Sequence, residues 1–333
     1  MGEPLLSHAV RAAKWARGAA VRARRRAELI DTVPALGARA RSGPPLRPVH
    51  LSLLGGRTLN VALPCPAPVA DTAEVRLHLE SHGRVEQLPL EREPQPDGGT
   101  LLTLTTSLRH ARHDAPTTHG PRLDDGLWRM SLVAVDHQGR IRRTPIAALH
   151  EAVSDGPTLR TPPDPATGVH YRVVRTLDGH AMVKVSAPRR QAELTKLELK
   201  WDRITVSGRL LAVRASAPRY TAEAVRRGVG GTPLTVRTHW QGPEFTFELP
   251  LAEMSRGGRG QRMWDIRLTS GTTHLKIARR LTDVRNPKRV FRTPFRSIAL
   301  EDGTVLRVHA HLSAAGTLAV SCTPFVTPED ANR

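Results

Sequence analysis

The chain has 333 residues, 39% hydrophobic and only 4% aromatic, with a formal net charge of +19. That length allows two or three domains of ordinary size, with cores built from Leu, Val, Ile and Ala. So few rings disfavour broad stacking platforms for sugars or bases. No run approaches 18 apolar residues and the N-terminus lacks an apolar h-region, which speaks against a spanning helix or signal peptide and predicts a cytoplasmic protein.

Of the 50 basic residues only six are Lys. Such a balance favours polyanionic partners, because guanidinium groups bind phosphate bidentately. A GC-rich genome produces the same Arg, Ala, Pro and Gly bias without any anionic ligand, so charge alone does not choose between the two.

Residues 1–45 read as a basic helical segment and Pro/Gly linker, with the helix over 5–41 carrying Leu5, Leu6, Val10, Trp15, Val21, Leu29 and Ile30. Pro34 and Gly43-Pro44-Pro45 end it. Residues 5–30 could lie on an anionic membrane surface; a solvated linker fits the same pattern. From Val49 the apolar period becomes two: Leu51 and Leu53, then Leu59, Val61 and Leu63, then Val75, Leu77 and Leu79, with turn signals at Pro96-Asp97-Gly98-Gly99 and Asp136-His137-Gln138-Gly139. That pattern predicts many short antiparallel strands. Residues 219–227 suggest a helical turn or two, and 327–333 a disordered tail.

The pattern occurs twice, predicting an all-β fold of two tandem Ig-like antiparallel β-sandwich domains, an internal duplication over residues 46–190 and 191–326. Both carry, in order, Gly-Arg (Gly56-Arg57, Gly208-Arg209), Val-Arg (Val75-Arg76, Val236-Arg237) and a Trp-led strand (Trp128 to Leu132, Trp264 to Leu268). Then come a basic strand edge (Arg140-Ile141, Lys276-Ile277), Arg-Thr-Pro (Arg160 to Pro162, Arg292 to Pro294) and a Val-Ser close (Val185-Ser186, Val320-Ser321). Trp128 and Trp264 are expected in the core at equivalent positions. Cys65 and Cys322 fall at different points of the repeat, so neither copy is expected to hold its own disulfide.

Catalytic signatures are missing: there is no Walker loop, no Gly-x-Ser-x-Gly elbow, no His-Glu-x-x-His and no Cys-x-x-Cys. No catalytic residue and no cofactor is assigned, and an enzyme of unrecognised type stays open. His110, His113 and His119 with Asp114, Asp124 and Asp125 raise a metal question, but the expectation is that the imidazoles do not converge and that no metal is held. His309 and His311 share a strand face, without a visible third ligand. The densest charge lies between the last strands, where Lys276, Arg279, Arg280, Arg285, Lys288, Arg289, Arg292 and Arg296 face only Asp283. Arg279, Arg280, Arg285, Lys288, Arg289, Arg292 and Arg296 are the candidate binding residues for an anionic ligand; a charged edge that blocks aggregation would look alike.

A Trp-led strand followed by a basic-edged strand, in tandem sandwiches within an Arg/Ala-rich chain, resembles the β-sandwich modules attached to actinobacterial cell-wall glycosyltransferases and teichoic-acid-type glycerophosphotransferases. The sugar-nucleotide-binding α/β domain of such enzymes has no counterpart here. The resemblance implies a non-catalytic accessory module that holds an anionic glycan or polyol-phosphate polymer of the cell envelope, or docks on the cell-wall transferase that makes it. It would act in the cytoplasm or at the inner face of the plasma membrane. A charge-driven nucleic-acid-binding protein is the alternative, disfavoured by scarce aromatics and the lack of a recognition helix.

Overall fold

The computed structural model describes residues 32–33, 44–66, 74–115, 119–149, 156–212, 220–228, 232–256 and 260–325. The chain is all-β, built of mainly antiparallel sheets. β1 (Thr32–Val33) comes first, where the sequence suggested helix; the rest of 5–41 lies outside the described residues, as does the 327–333 tail. Then follow β2 (His50–Leu54), β3 (Thr58–Pro64), β4 (Glu74–Ser81), β5 (Arg84–Pro89), β6 (Glu91–Pro94) and β7 (Thr100–Ser107). β8 (Arg109–His110), β9 (Arg122–Leu123), β10 (Gly126–Val135), β11 (Ile141–Pro145), β12 (His170–Thr176) and β13 (Ala181–Ser186) complete the first half.

The second half has β14 (Gln191–Leu199), β15 (Ile204–Leu211), β16 (Thr221–Arg226), β17 (Leu234–Val236), β18 (His239–Gln241) and β19 (Glu244–Glu248). β20 (Arg262–Ser270), β21 (Thr273–Ala278), β22 (Arg296–Ala299), β23 (Val305–Leu312) and β24 (Leu318–Pro324) follow. Short helices cover Leu251–Ser255 and Pro287–Val290.

The halves share one topology. The order β2-β3-β7-β6 in the first is β14-β15-β19-β18 in the second, and β12-β13-β10-β4-β5 is β23-β24-β20-β16-β17, with β11 and β21 each on the Trp-bearing strand. Each copy also joins its two sheets by a parallel contact, Leu46 with Ile146 and Ala192 with Ile277. Side chains that alternate across a pleat can bury only one face, and the period-two pattern does this. Leu59, Val61 and Leu63 of β3 are buried while their neighbours are not. One core runs from Leu51 to Val185 and a second from Ala192 to Cys322.

Trp128 and Trp264 are both buried, opposite Val183 of β13 and Val320 of β24. Other pairings of the repeat need correction. Val75 lies on β4 beside the Trp strand, but Val236 lies one strand further out, on β17; the counterpart of β4 is β16. That strand covers the stretch expected to be helical. Ala222 and Ala224 alternate into the core against Leu268 and Ile266, so sheet pairing overrides the helix propensity of Ala and Glu. Gly56 sits in a turn, whereas Gly208 is inside β15, where a Cβ would collide with the Phe245 ring and the Glu193 carbonyl.

Candidate functional site: a basic strap across the second copy

The candidate basic residues lie on a strap that leaves the sheet after Ala278 and returns at β22. Main-chain groups fasten it. Arg279 donates its N–H to the Gly316 carbonyl over 2.9 Å. The N–H of Arg280 reaches both carboxylate oxygens of Glu193 at 2.9 and 3.0 Å, and that of Leu281 reaches one at 2.9 Å. Glu193, on β14, is 4% exposed. Burial pushes its pKa up, against the opposing pull of the Leu281 and Arg280 N–H groups and of the Arg209 and Arg280 charges.

The strap next meets the first copy. Thr158 pairs with Val284, Leu159 N–H donates to the Asp283 carbonyl, and Arg285 N–H donates to the Pro157 carbonyl over 2.8 Å. Pro287 then opens the short helix at a position where its missing N–H costs nothing. Beyond it, the Thr293 carbonyl accepts from Nε2 of His309 on β23 at 3.0 Å.

Because backbone atoms do the fastening, the long side chains turn outward. Arg279, Arg280, Lys288, Arg289, Arg292 and Arg296 are exposed, while Arg285 is half-buried beside the first copy. Arg292 Nε donates to the Arg289 carbonyl over 3.2 Å, and the Arg279 guanidinium lies over the Phe291 ring, 4.0 Å from its centre.

Four further residues extend this surface. Arg307, His309 and His311 alternate along the outer face of β23, whose inner face buries Leu306, Val308, Ala310 and Leu312. Phe295 is 50% exposed, with the Arg307 guanidinium 4.3 Å from its centre and the His309 ring also at 4.3 Å. The His309 and His311 rings stack at 4.7 Å. Nδ1 of His311 faces the His309 carbonyl at 3.3 Å. Burial lowers the His311 pKa, helped by His309, Arg227 and Lys288, although the bond to the His309 carbonyl opposes this. The sequence paired His309 with His311, but Phe291, Phe295 and Arg307 went unread. Two of only five phenylalanines in a polar loop was the available signal.

The histidine-rich loop of the first copy is committed to structure. His110 is 1% exposed, accepts the Arg112 N–H at Nδ1 over 3.1 Å and has Nε2 3.4 Å from Asp125. Asp114 takes the His110 N–H at 2.6 Å and lies 3.4 Å from Arg57. The His113 ring is tilted by 48° against that of His110, their centres 4.7 Å apart, and His119 is exposed. Among the described residues no group of three or more His, Cys, Asp or Glu side chains could hold a metal ion. Both cysteines are free thiols. Among the described residues no helix is long and apolar enough to cross a membrane.

The fold and strap together define a tandem all-β protein with a cationic face on its second copy. No protein-family model matches the chain, and no curated protein matches it in sequence. Among solved structures it is similar to residues 217–571 of S. aureus TarS, a teichoic-acid glycosyltransferase, at 10% identity and a TM-score of 0.28, over 70% of this chain and 62% of that one. A longer TarS structure matches at 10% identity with a TM-score of 0.29, over 70% of this chain and 39% of that one. A pullulanase from Anoxybacillus matches at 9% identity and a TM-score of 0.17, over 68% and 24% of the two chains. The chain thus spans less than two thirds of these structures, and likeness at this level carries no argument about activity.

Proposed function

We propose that this protein is a non-catalytic accessory module that holds an anionic polymer, a polyol phosphate or anionic glycan of the cell envelope, on the strap of its second copy (residues 191–326). In this reading it works at the inner face of the envelope, beside the transferase that extends the polymer. The observation that supports it most is the fastening of the strap by main-chain groups and by Glu193, which leaves six exposed basic side chains on a segment whose own sequence carries one acidic residue, Asp283. Cations not spent on internal ion pairs remain available to release counterions from a polyanion.

The test is retention on an immobilised polyol-phosphate polymer across a salt series. Replacing Lys288, Arg289 and Arg296 together by Glu should weaken binding at least tenfold and flatten its salt dependence, with the melting temperature nearly unchanged. Equal retention of the variant and the original protein would refute the assignment of the site.

A further inference from the structure

Most guanidinium groups with a described side-chain contact in this protein are tied to acids: Arg57 to Asp114, Arg76 to Glu74, Arg143 to Glu80, Arg227 to Asp265 and Arg267 to Glu223. Even Arg84, 5.9 Å over the Trp128 ring, pairs with Asp124. Arg279 and Arg307 differ. Each lies over a phenylalanine ring, at 4.0 and 4.3 Å, with no carboxylate partner among the described residues. A ring beneath a guanidinium restrains it and leaves its N–H edges directed sideways, which lowers the entropy lost when those edges close on a phosphate. Phe291 and Phe295 are four residues apart, so their Cα atoms stand at most about 14 Å from one another.

Beside these two cations lie two oriented acceptors. Nε2 of His309 faces the Thr293 carbonyl and Nδ1 of His311 faces the His309 carbonyl, so both of these nitrogens must carry hydrogen. In the neutral imidazoles Nδ1 of His309 and Nε2 of His311 are therefore bare lone pairs, suited to accept from hydroxyl groups. Burial and the surrounding cations hold His311 toward its neutral form. The chemistry is cationic seats for phosphate next to acceptors for hydroxyl. Stacked bases fit poorly, because the Phe291 face is taken by Arg279 and Phe295 lies against both Arg307 and His309.

We propose that Arg279 on Phe291 and Arg307 on Phe295 are paired seats for phosphodiester groups of one polyol-phosphate chain, with His309 and His311 accepting hydrogen bonds from its hydroxyls. This rests on the polymer-binding reading above and adds the ligand's repeating chemistry and the residues that select it. It makes the phenylalanines positioning residues.

Two comparisons test it, with poly(glycerol phosphate) as probe and thermal melting as the folding control. Replacing Arg279 and Arg307 by Gln should cost about tenfold or more in affinity, while replacing Arg289 and Arg296 by Gln, the same change of charge, should cost only a few-fold. Replacing Phe291 and Phe295 by Leu keeps every charge and should still cost several-fold, with the salt dependence preserved. Equal losses from the two arginine pairs, or wild-type affinity in the leucine variant, would overturn the seats yet leave polymer binding standing. Failure of the unmodified protein to bind would overturn both. Inorganic polyphosphate, single-stranded DNA and phosphatidylglycerol vesicles complete the series. The polyol phosphate should bind tightest at equal phosphate concentration, and preference for any of the other three would reject the hydroxyl contacts.

Discussion

His309 donates its Nε2 hydrogen to the carbonyl oxygen of Thr293 at 3.0 Å, and in the other copy His170 does the same to Thr161 at 2.8 Å. Each histidine stands opposite a serine of the last strand, Ser186 or Ser321. The repeated Arg-Thr-Pro is thus a segment clipped to a sheet by an imidazole, and the clip survives in both copies despite different intervening lengths. A donor to a half-buried carbonyl contributes roughly 1 kcal/mol. Replacing His170 or His309 by Ala should lower unfolding free energy by about that much. In the His309 variant, limited proteolysis should cut faster within 279–296; an unchanged cleavage rate there would show that the clip does not hold the strap.

The two tryptophans should respond unequally. Trp128 Nε1 donates to the Asp124 carbonyl at 2.9 Å, whereas Trp264 Nε1 is buried with no partner among the described residues. Changing each to Phe removes similar packing. Only the first change strands a carbonyl, a cost of about 1–3 kcal/mol when it is buried. Trp128→Phe should therefore be the more destabilising in urea unfolding, and the reverse order would show the two environments to be misassigned.

Glu193 gives a pH signature. Its carboxyl is raised above the ordinary 4.5 by burial, so the folded state holds the proton more tightly than the unfolded chain. The associated stability is fully present below the unfolded value and is lost as pH rises through the folded one. Glu193→Gln, which cannot ionise, should cost most at acidic pH. Above pH 4.5 the gap should narrow as the wild-type carboxyl loses its proton. A gap that widens with pH would mean that the two N–H donors, Arg280 and Leu281, outweigh burial.

Alternation made most of the first copy legible: Leu59, Val61 and Leu63, or Trp128, Met130 and Leu132, can share a face only as strands. β16 was hidden because Ala-Glu-Ala-Val reads as helix until Leu268 and Ile266 are placed opposite it. The positive charge of the strap was readable from composition along the chain. Its aromatic supports were not, since Phe295 meets Arg307 and His309 only through the register that sets Ser297 opposite Arg307. The Val-Arg pairing misled because two residues carry too little pattern to tell β4 from its neighbour.

The contact between Pro157–Leu159 and Asp283–Arg285 has a practical corollary. The repeat is the unit that was copied, but the strap is rooted in both copies. A fragment cut at the boundary between them would expose the Asp283 carbonyl and Arg285 amide to water and loosen the cationic segment. Dissection into halves would then understate affinity, and the smallest piece worth assaying contains both.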